Sequence, residues 1–334
     1  MRIARDDLVK LAADALHACG ASSQSARITA KYLVRADEQG IATHGVARVP
    51  TYCGHLNSGR ANGQASPCII RERPAAFLVD AGNGLGFEPC EFALQQAASR
   101  AQQHGCAFAA VTNSHHCGAL GVILEPIAAQ GLVALAFSNA AAAVVPWGGL
   151  RPVFGTNPVA AVFPRRTGDP IIVDLSLTQV TRGEIMLRAQ RGEAIPEGWG
   201  KDSDGNPTTD AQKIMVGGSL HAVGGLKGTM LAMMVELLCC ALTGAALSHE
   251  VEAITLDDAP PMRLGQGFLV IDPAALAGAE TYFARIETLV EAMLEDAEVR
   301  LPGASRYRAA ARAADDGVEI SDDLKRKLVE LAGG

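Results

Sequence analysis

A hydroxyl, an imidazole and a guanidinium fall within the six positions of Thr43-His44-Gly45-Val46-Ala47-Arg48. Such a set can hold a carboxylate on the arginine and move a proton through the histidine, whose ordinary pKa of about 6.5 lies near neutrality. If a helix starts at Gly45, Thr43 and His44 sit at its mouth and Arg48 lies about one turn in. Arg48 and His44 would then share the edge of one concavity. A capping threonine, a satisfied histidine and a surface arginine explain the same spacing equally well.

Other stretches carry groups of similar potential. Asn113-Ser114-His115-His116-Cys117-Gly118 lies where a predicted strand becomes a helix, the edge at which α/β proteins bind ligands. Adjacent side chains rarely converge on one ion, so polar groups at a site are expected there and no metal. Gly155-Thr156-Asn157-Pro158 is a turn between apolar runs; its Thr156 and Asn157 either reach a ligand or only shape the chain. Asp174 ends a predicted strand and Glu184 falls near a helix start. Each is a solvated cap unless it faces His44, where a carboxylate orients an imidazole and raises its pKa.

The glycine-rich stretches fail the nucleotide fingerprints. Gly84-Leu85-Gly86 is followed by Pro89 where a Rossmann turn has its third glycine. Gly224-Gly225-Leu226-Lys227-Gly228 lacks the phosphate-loop order, so close helix packing is the default, although free N–H groups at a helix entry can still accept a phosphate. Asp202, Asp204 and Gly205 imitate a calcium loop, yet its last position is Lys213 rather than a glutamate, and a turn is expected.

The elements that must position these groups follow from composition and periodicity. A chain of 334 residues, 49% hydrophobic and 19% charged, suits a folded enzyme of about two domains. The formal charge of −7 excludes a basic patch, so neither nucleic acid nor an anionic membrane surface is an expected partner. Eight scattered cysteines without a CxxC spacing read as thiols of a reducing cytoplasm. The start lacks a signal-peptide apolar region, and the apolar run Thr229–Thr243 carries Glu236 and is too short to span a bilayer, so a buried helix is expected.

Asp6 or Asp7 caps a first helix with Leu8, Leu11, Ala12 and Leu16 on one stripe; Ser22 or Ser23 caps a second. A third runs from about Gly45 to Ser58, with Pro50 in its early turns. Extended runs then alternate with helical ones through residues 68–272, followed by a helix from Ala279 to Val299, a loop around Pro302-Gly303 and a last helix capped by Ser321. The expected organisation is an N-terminal helical region (1–66), a mixed α/β core (67–285) and a C-terminal helical region (286–334) packing back on the first.

The motifs share a register. The order Thr43-His44-Gly45 with Arg48, Asn113 to Gly118, Pro146-Trp147-Gly148-Gly149, Gly155 to Pro158, Asp174-Leu175-Ser176, Arg191 to Trp199 and Gly224 to Gly228 resembles the type-2 malate/L-lactate dehydrogenase family over most of the chain. The resemblance implies a mixed, largely antiparallel sheet with flanking helices, NADPH or NADH held without a Rossmann fold, and a homodimer. His115-His116-Cys117-Gly118 and Asp174-Leu175-Ser176-Leu177 resemble the branch that reduces Δ1-pyrroline-2-carboxylate and Δ1-piperideine-2-carboxylate. Malate-type members more often show Asn-His-Phe-Gly and Asp-x-Ala-Thr-Ser.

Carried over position by position, the resemblance makes His44 the proton donor, with Thr43 and Glu184 as its relay, the family more often showing Ser and Asp there. It makes Arg48 and Thr156 substrate-binding. It places the cofactor shell at His116, Cys117, Gly118, Ala119 and Leu120, at Asp174, Leu175 and Ser176, at Gly224 and Gly225, and at Gly303 and Arg306. The expected reaction is NAD(P)H-dependent reduction of a cyclic imine 2-carboxylate to L-proline or L-pipecolate, with hydride to C2 and the proton from His44. The alternatives are a 2-hydroxyacid dehydrogenase, which needs a second cation for a substrate such as malate, and a silent ligand-binding scaffold.

Overall fold

The computed structural model describes residues 1–333; Gly334, the end of the expected C-terminal region, lies outside the described residues. The chain opens with β1 (Arg2–Ile3), α1 (Arg5–Ala18) and α2 (Ser23–Glu38). Ser22 caps α2, its hydroxyl accepting the Ser25 N–H. The single helix expected from Gly45 to Ser58 does not form. Ala42–His44 and Val46–Arg48 are separate 3-10 turns, and α3 covers Val49–Ser58. Gly45 is extended, and Pro50 in the first turn of α3 has no N–H to continue a helix backwards. The Asp37 carboxylate, reaching over from α2, accepts the Val46 N–H at 2.7 Å. A Cβ on Gly45 would stand inside that carboxylate, so the close approach requires glycine.

The core follows. β2 (Cys68–Arg73) and β3 (Ala76–Asp80) pair, α4 (Phe87–His104) crosses over, and β4 (Cys106–Ser114) runs parallel to β3. Then come α5 (Leu120–Ala128), β5 (Val133–Ser138), β6 (Val159–Phe163) and β7 (Ile171–Leu175). A small lobe of α6 (Arg182–Arg191), β8 (Gly200–Lys201), α7 (Ala211–Met215) and β9 (Ser219–Leu220) packs around Ile185, Ile195, Ile214 and Leu220. α8 (Leu226–Glu236) runs on into a π-helical turn at Leu237–Ala241, and β10 (Leu264–Ile271) inserts between β4 and β5. α9 (Ala279–Leu294), α10 (Ala304–Asp316), β11 (Val318–Glu319) and α11 (Asp322–Leu331) finish the chain.

The seven-stranded sheet has the order β2-β3-β4-β10-β5-β6-β7, with every neighbouring pair antiparallel except β3–β4. It is the mixed, largely antiparallel sheet expected. Phe268 at its centre registers with Ala109 on one side and Ala136 on the other, small neighbours that leave room for the ring. β1 pairs with β11, and Val318, Ile320 and Leu328 share one core with Leu8 and Leu16, so the two chain ends close on each other.

Two expectations are corrected. The expected loop around Pro302-Gly303 is a turn, but between it and the helix capped by Ser321 lies a further helix, α10 (Ala304–Asp316), which Gly303 opens with no side-chain cap among the described residues. The run 229–243 is only half-buried. Ala232, Val235, Cys239 and Cys240 face the sheet, while Met230, Met234 and Leu237 remain 49%, 45% and 50% exposed. Among the described residues no helix is long and apolar enough to cross a membrane.

Candidate active site

The paired 3-10 turns turn three polar side chains onto one edge. Thr43 Oγ1 lies 3.0 Å from His44 Nδ1, and the Arg48 Nε–H donates to the Thr43 carbonyl at 2.7 Å. That bond uses only Nε. Neither terminal nitrogen of Arg48 meets a carboxylate among the described residues, which leaves the fork free for an anionic ligand. The His44 ring stacks on His116, arriving from the end of β4, with centroids 5.4 Å apart. Burial, and then the Arg48 cation, hold the His44 pKa down at about 4. His44 is neutral at pH 7 in the free protein, and a carboxylate settling on Arg48 would offset that cation and raise its proton affinity.

The carboxylate whose charge favours protonation of His44 is that of Asp174. Asp174 at the end of β7 accepts the Gly121 N–H at 3.1 Å and an Arg306 N–H at 2.9 Å, and it pulls the His44 pKa upward against burial and Arg48. Glu184 instead accepts from Arg188 Nε at 2.8 Å, one turn along its own helix. Among the described residues no hydrogen bond joins Glu184 to Thr43 or His44, as the expected relay requires. The residue of α6 that faces Thr43 is Gly183, where a Cβ would sit 3.3 Å from Thr43 Cγ2. Because the Glu184–Arg188 pair is partly exposed, Glu184→Gln should leave kcat within about threefold of wild type. A loss of about 100-fold, the scale of positioned acid–base catalysis, would return Glu184 to the relay.

The expected cofactor residues fall on two connected features. Gly303 packs against Ile172, Ile172 N–H donates to the Pro302 carbonyl, and Arg306 pairs with Asp174, so the 302–306 segment lies along β7. From Asp174 the extended chain continues through Leu175, which is exposed, and Ser176, whose hydroxyl bonds Thr178 at 3.0 Å. It reaches Gln179 at a cavity of about 720 Å³ that Trp147, Lys201, His221, Gly224 and Gly225 also line. Gly224 and Gly225 both have positive φ (61° and 62°) and open α8, leaving first-turn N–H groups without helical partners. Among the described residues Lys201 is the charged residue lining the cavity and no carboxylate does, a donor set that fits a phosphate-bearing dinucleotide.

Thr156 sits on the turn between Gly155, which abuts the Ala140 backbone, and the buried Asn157; its carbonyl accepts the Leu177 N–H, which places it beside the Asp174–Ser176 segment. Cys117 and Leu120 are buried, Ala119 caps α5, and Gly118 packs on Phe87.

His115 and His116 diverge. His116 faces His44, whereas His115 turns inward, its Nε2 2.8 Å from His55 Nδ1, with Arg60 beyond. The spacing of Tyr52 and His55 in the third helical pattern, with Arg60 just beyond its end, gave no hint of this cluster, since each also has a partner about 60 or more residues away.

Burial pushes His55, His115 (to about 3), His116 and His44 below their ordinary range, while burial raises Asp37 to about 7 and also raises Glu88. Below pH 6.5 the unfolded chain binds protons that the folded histidines refuse, so their contribution is full above 6.5 and is lost as pH falls toward 4. Asp37 and Glu88 act in the opposite sense, and the four histidines outweigh them. Stability should fall on acidification by about 1.4 kcal/mol per pH unit for each net proton. Urea midpoints at pH 7 and pH 5 check this; a midpoint no lower at pH 5 would contradict it.

The chain is an NAD(P)-dependent oxidoreductase with a mixed, mostly antiparallel sheet in place of the Rossmann turn. The chain belongs to the malate/L-lactate dehydrogenase family, which residues 3–329 match. It is 40% identical to a (2R)-3-sulfolactate dehydrogenase (NADP(+)) of Chromohalobacter salexigens, over 95% of this chain and 94% of that one. It is 38% identical to a Δ1-pyrroline-2-carboxylate/Δ1-piperideine-2-carboxylate reductase of Pseudomonas putida, over 94% and 92%. Among solved structures, a Δ1-piperideine-2-carboxylate reductase from Pseudomonas syringae superposes with a TM-score of 0.94 at 36% identity, covering 99% of both chains.

Proposed function

We propose that this protein reduces a cyclic imine bearing a 2-carboxylate, Δ1-pyrroline-2-carboxylate or Δ1-piperideine-2-carboxylate, to L-proline or L-pipecolate. The observation that carries the reading is the unpaired fork of Arg48 beside a histidine whose Nδ1 already meets Thr43. Arg48 clamps the carboxylate as a charge-assisted pair. Thr43 occupies one imidazole nitrogen, so Nε2 of His44 is the one that delivers a proton to the imine nitrogen. Carboxylate binding on Arg48 and the nearby Asp174 both favour the protonated imidazole that this requires. NADPH or NADH, when bound, supplies the hydride that C2 receives. Gly224, Gly225 and Ser176 would hold it along the cradle, with His116 to Leu120, Asp174, Leu175, Gly303 and Arg306 completing its shell. Thr156 borders the substrate.

Incubation with the imine and either nicotinamide should yield the L-amino acid on chiral chromatography, and its absence would overturn the reading. A 2-hydroxyacid dehydrogenase is the second reading, and it has one observation of its own. Arg182 at the start of α6 has no carboxylate partner among the described residues and donates to the Ala142 carbonyl at 3.4 Å, which offers a cation for a doubly charged substrate such as malate or sulfolactate. The 40% identical sulfolactate dehydrogenase supports it too.

The exposed face of Met230, Met234 and Leu237 suits a homodimer contact, which solution mass would test. The scattered thiols suit the cytoplasm.

A further inference from the structure

We infer that Tyr52 is a positioning residue that acts through His116, fixing which nitrogen of that imidazole carries its proton and so leaving the site's acid to His44. Tyr52 lies on α3, four positions beyond Arg48, and is fully buried. Its hydroxyl is 2.7 Å from His116 Nδ1, and the Gly118 N–H points at the same nitrogen from 3.4 Å. A backbone N–H can only donate, so Nδ1 must present its lone pair. The phenol therefore donates as well, and the single proton of a neutral His116 sits on Nε2.

The consequence is felt by the neighbouring ring. His44 and His116 stack at 5.4 Å with their planes 24° apart, a separation at which two positive imidazoles repel strongly. Arg48, His115 and His55 add to the cost of charging His116, while Arg48 and Arg306 oppose and Asp174 favours charge on His44. A His116 locked neutral by a phenol proton cannot compete for the proton that His44 must hold. Removing the hydroxyl removes that lock without disturbing the ring's packing, which Phe87 and His115 supply edge-on at 6.1 and 5.6 Å.

This inference rests on the reading of His44 as proton donor, and two measurements separate them. Long-range ¹H–¹⁵N spectra of histidine-labelled wild-type protein should show His116 with Nδ1 bare and Nε2 protonated; a His116 protonated on Nδ1 overturns the inference without touching the role of His44. In Tyr52→Phe the tautomers should mix, kcat for the cyclic imine should fall about 10-fold, the worth of one hydrogen bond, and the pH–rate profile should shift, while KM stays within about twofold because Arg48 is intact. Wild-type kcat and profile in Tyr52→Phe would equally overturn it. If instead His44→Ala retained full turnover, the proton-donor reading would fall while the tautomer assignment stood.

Discussion

His44→Ala is expected to lower kcat for cyclic imine reduction by roughly 10²- to 10⁴-fold, the usual worth of a positioned general acid. The stack on His116 and the contact of Nδ1 with Thr43 leave Nε2 of His44 free to serve the site. Its pKa of about 4 in the free protein is set by burial first and by Arg48 second, and a bound carboxylate should raise it by offsetting the second cause. KM should change little, since His44 holds no part of the substrate carboxylate. The variant should also fold, as the turn is set by Asp37 and the Val46 N–H rather than by the imidazole. Steady-state kinetics decide it: near wild-type turnover would remove His44 from the chemistry.

The second large effect belongs to Arg48. Truncation to Ala should raise KM about 10- to 100-fold through loss of a charge-assisted pair, with a smaller change in kcat. It should also raise the pKa of free His44, because the cation that depresses it is gone. An unchanged KM would return Arg48 to the role of a surface arginine bonded to the Thr43 carbonyl.

Much of the fold could be read from local signals. The Ser22 and Ser321 hydroxyls cap α2 and α11, and the apolar runs at 76–80, 159–163 and 171–175 are strands at those bounds. Where the reading failed, the deciding feature was one that local periodicity does not report. Gly45 breaks the third helix because Asp37 comes in from α2. Glu184 has the right type for a relay, but Arg188 one turn away captures it, and helical spacing cannot say which neighbour wins. Thr43, His44 and Arg48 were legible as a chemical set; Tyr52 was not, because a tyrosine on an apolar helix face looks like packing until His116 is placed against it. α10 begins at a glycine without a capping side chain, and so left no start signal.

The measurement closest to the central claim is nicotinamide oxidation with a panel of Δ1-pyrroline-2-carboxylate, Δ1-piperideine-2-carboxylate, oxaloacetate and pyruvate, each with NADH and with NADPH. The account predicts the highest kcat/KM for a cyclic imine. Turnover confined to the open-chain keto acids would contradict it.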